Sequence, residues 1–328
     1  MIYCYKKLTS SLQKINLCDH GEDTLWVDLL YPTPEERKQI EELYNISIPN
    51  LTHILSIEES SRLYVEKDII YLTLMHLYCD EKRNFKITPV TFIHKENKLI
   101  TIRYLDSLTL DSFINKLIKG ENGLIKEDTD NSLLMIIFIN QFVEQLADLI
   151  ETNSLHIDNI NSFLFYENRH EATPMTPKEF RAILQQIGRE GSLISRAREN
   201  LSRIKRFLIY AANHLDNNKN HESFQSNTKK ITRDIESLES YANYLSNKVN
   251  FLLDTVVGLI STDQNAIIKI FSVVAVAFMP PTLIASIYGM NFAYMPELNS
   301  IWGYPITIIA MLLSALGPLW YFKKKGWL

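Results

Sequence analysis

The chain is short of the residues that staple or punctuate small folds: three cysteines, ten glycines and eleven prolines in 328 residues. Cys4, Cys18 and Cys79 form no C-x-x-C pair and have no histidine at zinc-site spacing. That argues against a disulfide scaffold or a structural zinc site and suits a reducing compartment. No G-x-x-x-x-G-K-[ST] loop is present, so the chain is not expected to hydrolyse ATP itself. The acidic run 127–131 (EDTDN) lacks the glycine and distal glutamate of a calcium loop and reads as a solvated linker. The eight histidines are scattered and suggest neither a catalytic dyad nor a metal cluster. Arg196, Arg198, Arg203, Lys205 and Arg206 alternate with Leu193, Leu201 and Ile204, the pattern of the wet side of an amphipathic helix. No enzyme and no nucleic-acid partner is expected. The first seventeen residues lack the apolar run of a signal peptide, so the N-terminus is expected in the cytosol.

The average hydropathy of −0.08 conceals an uneven chain. From Ala266 to Leu328 there are four basic residues (Lys269, Lys323, Lys324, Lys325) and one acid, Glu297. The preceding residues hold 30 basic against 37 acidic side chains. An acidic body of this kind is compatible with binding cations.

Two windows carry no charge at all: 27 residues at 270–296 and 24 residues at 299–322. A membrane-crossing helix needs about 20 mostly apolar residues, and one Lys or Asp at its centre costs roughly 2.5–3.5 kcal/mol on insertion scales. The expected spans are 270–288 and 302–322, edged by Tyr288, Phe292, Trp302, Tyr304, Trp320 and Tyr321. A buried hairpin inside a large soluble core is the alternative. Lys269 and the triple lysine flank the outer ends, while loop 289–301 has no Lys or Arg. The bias of positive charge puts both termini in the cytoplasm.

Before this hairpin, runs 25–30, 69–77, 88–94 and 99–104 read as strands, and Thr33-Pro34-Glu35-Glu36 as a helix start. Helices are expected over 132–165 and from Thr176-Pro177 to about Ala212, with a polar turn at 213–230. Ile231, Ile235, Leu238, Ala242, Leu245, Val249, Leu252, Val256 and Leu259 follow an unbroken 4,3 spacing. The stripe packs either within an intramolecular bundle or along a stalk that gathers several copies. A continuous helix over 222–288 would be roughly 100 Å long.

The first span ends in Ile287-Tyr288-Gly289-Met290-Asn291-Phe292, followed by Met295-Pro296-Glu297-Leu298. Here the chain resembles the CorA family of magnesium transport proteins, whose hallmark is Tyr-Gly-Met-Asn after the first of two C-terminal spans. The string IIKIFSVVAVAFMPPTLIASIYGMNF, the WGYP opening of the second span and the KKKGWL end resemble the enterobacterial-type branch. Upstream, Trp26-Val27-Asp28-Leu29, residues 57–62 (IEESSR) and 248–254 (KVNFLLD) also fit. The resemblance implies an α+β cytoplasmic domain, a long stalk helix and two transmembrane helices in a homopentameric funnel. The expected divisions are the α/β domain 1–130, antiparallel helices 131–221, stalk 222–269, spans 270–288 and 302–322 about loop 289–301, and basic tail 323–328. It implies inner-membrane Mg²⁺ influx, passive and gated by intracellular Mg²⁺, with passage of Co²⁺ or Ni²⁺ and no organic cofactor.

Gly289 can end a helix in a conformation costly for other residues. Mg²⁺ gives up its waters reluctantly, so a selective mouth addresses those waters, and an amide oxygen such as that of Asn291 can accept from them. By the resemblance, Gly289, Met290 and Asn291 are the expected selectivity filter. Asp254, Asn265, Ile268, Phe271, Met279 and Thr282 share one helical face within the tolerance of a 3.6 period, and by resemblance they line the pore. Ile268 and Phe271 fall where the family has an apolar constriction, which can gate by dewetting. The resemblance further implies regulatory Mg²⁺ on acidic side chains between protomers, with Asp80 on the body and Asp234 or Glu236 on the stalk. Two alternatives stand beside this: a zinc, or cobalt and nickel, transporter of the same superfamily, and a pore-less membrane-anchored coiled-coil scaffold.

Overall fold

The β-rich runs of the N-terminal region assemble into one mixed sheet in the computed structural model, which describes residues 1–15, 24–55, 62–79, 85–104, 108–165, 175–215, 221–291, 295–296 and 300–326. The strands are β1 (Ile2–Lys7), β2 (Leu12–Ile15), β3 (Thr24–Leu30), β4 (Leu63–Glu66), β5 (Ile69–Cys79), β6 (Phe85–Lys95) and β7 (Lys98–Arg103). Their order is β2-β1-β3-β7-β6-β5-β4, and only β3 with β7 pair in parallel. The helices are α1 (Pro34–Tyr44), α2 (Leu51–Ile54), α3 (Leu108–Lys119), α4 (Asn131–Phe165), α5 (Pro177–His214), α6 (His221–Tyr288) and α7 (Gly303–Lys324).

The period-2 alternation of the strands sorts the core into two faces. Val27, Leu29, Ile93, Ile100 and Ile102 pack on one side with Ile40 of α1. On the other side Trp26 stacks on Tyr5 at 4.3 Å and meets Phe138 of α4 edge-on at 5.0 Å, while Phe92 meets Phe142 and Phe207. A polar chain crosses this core: Trp26 Nε1 donates to Thr101 Oγ1, Thr101 Oγ1 donates to Asp28 Oδ1, and Arg103 Nε donates to Asp28 Oδ2 at 2.9 Å. The buried charges are thus paired and hydrogen-bonded, the condition under which a core tolerates them.

The Thr-Pro-Glu-Glu start forms as expected, with Thr33 and Glu36 making a reciprocal capping box ahead of Pro34. The polar segment 213–230 departs from expectation. The α6 helix already begins at His221, and it turns Phe224 (2% exposed) and Thr228 (7% exposed) inward, so most of that segment is helix rather than turn. Strands β1, β2 and β4 and helix α3 had no counterpart in the sequence reading.

The chain divides into two compact units, residues 1–167 with 185–250 and residues 168–184 with 251–328. In the first, the stripe on α6 is buried: Ile231, Ile235, Ala242, Leu245 and Val249 are all under 9% exposed. Of the two readings left open for this stripe, packing within the chain is the one observed over these positions. Polar links accompany it, from Ser154 to Tyr241 at 2.7 Å, Asp158 to Lys248, Lys205 to Glu236 at 2.9 Å and Arg198 to Asn243 at 3.1 Å. In the second unit Val273 and Ala277 of α6 are buried, while α7 has no fully buried residue.

Candidate permeation site

Among the described residues, three helices are long and apolar enough to cross a membrane by length and composition: α4, α6 and α7, with mean hydropathy of 1.6, 2.1 and 1.6 over their best windows. Burial separates them. The α4 window is 56% buried by its own chain, whereas those of α6 and α7 are 11% and 0% buried. An apolar surface that its own chain leaves uncovered needs another apolar medium.

The second half of α6 carries a line quite unlike the buried one. Phe251, Asp254, Gly258, Ser261, Asn265, Ile268, Ser272, Ala275, Met279, Thr282 and Ser286 repeat at 3,4 spacing, and every one is exposed. Asp254 stands two residues beyond buried Leu252, about 200° round the helix. The chain thus spends its apolar stripe on itself and leaves the opposite line of small, polar and a few large residues exposed. Five of the six expected lining residues lie on this line; Phe271 sits one residue off it, beside Ser272. Ile268, Phe271 and Met279 are 61%, 70% and 68% exposed, unusual for large apolar side chains. Ser261, Ser272 and Ser286 were missed by sequence reasoning, although extending the 3,4 spacing through Asn265 and Thr282 reaches all three.

Thr282 Oγ1 donates to the Phe278 carbonyl at 2.7 Å. Its proton is thereby used on the backbone and its lone pairs remain to accept, which suits a group facing metal-bound water. At the end of α6, Gly289 N donates to Ala285 O at 2.9 Å and Met290 N to Ile287 O at 3.3 Å, tightening the last turn. Gly289 does not adopt the left-handed conformation expected of it, since the positive-φ glycines among the described residues are Gly120, Gly123 and Gly326. A Cβ there would stand 3.2 Å from the Ala285 carbonyl oxygen, the acceptor of its own N–H one helical turn back. Asn291 follows this turn and is exposed.

The regulatory acids were expected to meet between protomers, and a single chain places only those on the stalk. Asp80 lies outside the described residues. Asp234 lines a shallow hollow with Lys229, Lys230 and Arg233. Glu236 receives Lys205 Nζ at 2.9 Å, with Glu239 at 4.0 Å from the same ammonium, and this hydrogen bond holds Lys205 above the usual lysine range. Among the described residues no three His, Cys, Asp or Glu side chains come together as metal ligands. At the other end of the hairpin, Lys324 and Lys325 lie over the rings of Trp320 and Tyr321 at 5.5 and 5.3 Å.

Comparison with known proteins bears on this geometry. The profile of the CorA-like Mg²⁺ transporter protein family matches residues 21–324. Similar proteins include a magnesium transport protein CorA of Pasteurella multocida, 33% identical over 312 residues and covering 93% of this chain and 92% of that one. Another, from Yersinia pseudotuberculosis, is 33% identical over 332 residues and covers 100% of both. Among solved structures, the complete CorA magnesium transporter of Methanocaldococcus jannaschii superposes with a TM-score of 0.74 at 19% identity, covering 100% of this chain and 99% of that one. The ZntB cytoplasmic domain of Vibrio parahaemolyticus superposes with a TM-score of 0.53 at 13% identity, covering 80% and 98%. At such identities the structures speak for the fold alone.

Proposed function

Because the chain belongs to the CorA-like Mg²⁺ transporter family, we propose that it is a passive Mg²⁺ channel of the inner membrane, built from five copies. In each copy the end of α6 and α7 form the two spans, over 270–288 and 302–322, with both termini cytoplasmic. The observation that supports this reading is the line of mostly small and polar residues on α6 from Asp254 to Ser286, exposed along with most of the helix beyond residue 251. In a ring of copies, these lines would face one axis while the other sides of the hairpins meet lipid.

The steps follow from the residues. Asn291 amides at the outer mouth accept hydrogen bonds from the ion's waters, so the ion is selected without being stripped. Thr282 and Asn265 offer further acceptors along the way. Ile268, Phe271 and Met279 form apolar levels that empty of water when narrow and conduct when wide. The driving force is the membrane potential, worth about 4.6 kcal/mol per 100 mV for a doubly charged ion. Closure by intracellular Mg²⁺ would act through acids such as Asp80 and Asp234 brought together between copies; Glu236, already paired with Lys205, would have to exchange that ammonium for the ion. Co²⁺ and Ni²⁺, with the same charge, are expected to pass.

The test is ion flux into liposomes holding the purified protein. Mg²⁺ enters, Zn²⁺ enters more slowly, and Asn291→Ala lowers Mg²⁺ entry roughly tenfold, the equivalent of about 1.4 kcal/mol per ion. Absence of Mg²⁺ entry into wild-type liposomes would sink the channel reading.

A further inference from the structure

One side of α7 carries a strip that permeation does not use. Ile309, Leu313, Leu316, Trp320 and Lys324 follow a 4,3,4,4 spacing. At about 100° per residue they lie within about 80° of arc. The four apolar side chains are each more than half exposed. From Ile309 to Trp320 the strip rises about 16 Å, close to the roughly 15 Å that one leaflet contributes to the hydrocarbon core. Lys324 stands one turn further along, about 6 Å, which is the depth of the polar layer on either side of that core.

The head of the strip is strongly basic. Viewed down the helix axis, Lys323 and Lys324 fall on either side of Trp320, about 60° and 40° away. Lys324 Nζ lies 5.5 Å from the Trp320 ring centre, and Lys325 Nζ lies 5.3 Å from that of Tyr321. All three lysines are exposed, and among the described residues none is ion-paired to a carboxylate. The one acid after Ala266, Glu297, precedes the opposite end of α7. The carbonyl end of a helix supplies only about half a negative charge. Most of the positive charge at this end therefore has no counterpart in the chain.

We propose that this side of α7 binds an anionic phospholipid of the cytoplasmic leaflet. The lipid phosphate sits between the Lys323 and Lys324 ammonium groups, with Lys325 beside it. The Trp320 indole lies at the boundary of the core, where tryptophan is favoured, and one acyl chain runs along Leu316, Leu313 and Ile309. Two observations select lipid over a second copy of the chain on this side. The strip matches one leaflet in length, and a neighbour in a ring would bring its own three lysines to the same level, setting like charges together. A phospholipid brings the missing charge instead. A zwitterionic lipid carries its own cation and loses most of that gain. The proposal rests on the reading of α7 as a membrane span ending at the cytoplasmic face.

Tryptophan quenching in liposomes holding the full-length protein tests this. Of the four tryptophans, Trp302→Phe and Trp327→Phe leave Trp320 and Trp26, and Trp26 is buried in the body. Quenching by brominated phosphatidylglycerol is compared with quenching by brominated phosphatidylcholine at the same mole fraction. The anionic lipid is expected to associate at Trp320 roughly fivefold more strongly, the effect of one lysine close to an anionic surface. High salt should bring the two lipids toward equality. Lys324→Gln is expected to lower the preference part-way, and Lys323→Gln, Lys324→Gln and Lys325→Gln together to abolish it; the corresponding Lys→Arg changes keep it. Equal quenching by the two lipids, a preference that survives the three Lys→Gln changes, or a strip that neither lipid reaches overturns the proposal. Flotation with the liposomes separates this from the membrane reading. Protein that does not float removes both, whereas protein that floats without a lipid preference at Trp320 removes this one alone.

Discussion

Helices α4 and α7 have the same mean hydropathy, 1.6 over their best windows, yet one is 56% buried by its own chain and the other 0%. Average apolarity therefore does not say what solvent a helix was made for. The distribution of charge does. On α4, Glu144, Asp148, Glu151 and Asp158 all lie on the exposed side, while Leu134, Phe138, Phe142, Leu146 and Ile150 are buried against the sheet and neighbouring helices. On α7 no charge occurs before Lys323, and both Leu312 and Leu313 stand exposed at 57% and 65%. A charged outer face means water on that side; an uncharged one means lipid or another copy.

The comparison breaks most visibly at Phe142. Its ring is fully buried under the sheet, and Phe142→Ala is expected to cost about 3–5 kcal/mol of the body's stability through lost burial and an unfilled cavity. Thermal unfolding of the purified protein measures it. Leu312→Lys tests the other helix: it should leave that unfolding transition in place and instead cost about 2.5–3.5 kcal/mol of membrane insertion, read as the fraction of protein recovered with membranes. Leu155→Lys supplies the contrast on α4. That side chain is 60% exposed, so the same charge should change stability by no more than about 0.5 kcal/mol. If Leu312→Lys and Leu155→Lys behaved alike, α7 would not be a membrane helix.

Acid sharpens the difference next. His76 lies against Phe142 at 4.3 Å, and His94 Nε2 meets Ser132 Oγ at 2.9 Å, so both are held beneath α4. Burial pushes each down to about 4, against the partial opposition of Gln145 for His76 and of Asp130 and Asn131 for His94. The unfolded chain takes up these protons near its ordinary histidine value of 6.5. Between there and about pH 4 it binds more protons than the folded body, so stability is full above that window and falls as the pH drops through it. The loss is on the order of 2–3 kcal/mol per histidine. His76→Gln should flatten part of the acid slope of the melting temperature. Helix α7 has no group titrating in this window, so membrane association should hold where the body weakens.

What the sequence made legible follows the range of the forces involved. The strands at 69–79 and 85–95 were visible over 69–77 and 88–94, because long runs rich in Ile, Val, Thr and Tyr leave little else to form. The short β2 and β4, four residues each, carry too few positions for an alternation to register, and β1 (IYCYKK) ends in two lysines that mask it. The motif at 289–291 was legible because it is local, although the left-handed turn expected of its glycine does not form. The stripe at 231–249 fixed a period but not a partner, since a 4,3 repeat serves a bundle within one chain as well as a ring of chains. The buried hydrogen bond from Asn153 Nδ2 to Glu190 Oε2 was invisible in sequence, because the two residues lie 37 positions apart and neither belongs to a recognisable spacing.

The finest form of the comparison uses three glycines in helices. Replacing a helical glycine by alanine stabilises by about 0.5–1 kcal/mol where nothing obstructs the methyl group. Gly188 of α5 and Gly317 of α7 have nothing within 4 Å of the added carbon, whereas at Gly191 it would meet Val249 Cγ1 at 3.0 Å. Gly188→Ala is therefore expected to raise the body's melting temperature, and Gly191→Ala to raise it less or lower it, because α6 must yield by a few tenths of an ångström at that crossing. Equal shifts at the two sites would mean that α5 and α6 do not pack here as described. Gly317→Ala separates the two media open to α7. Facing lipid, it leaves the assembly unchanged; facing another copy, it shifts the oligomer distribution measured by light scattering in detergent, since a small residue is what lets two membrane helices approach closely.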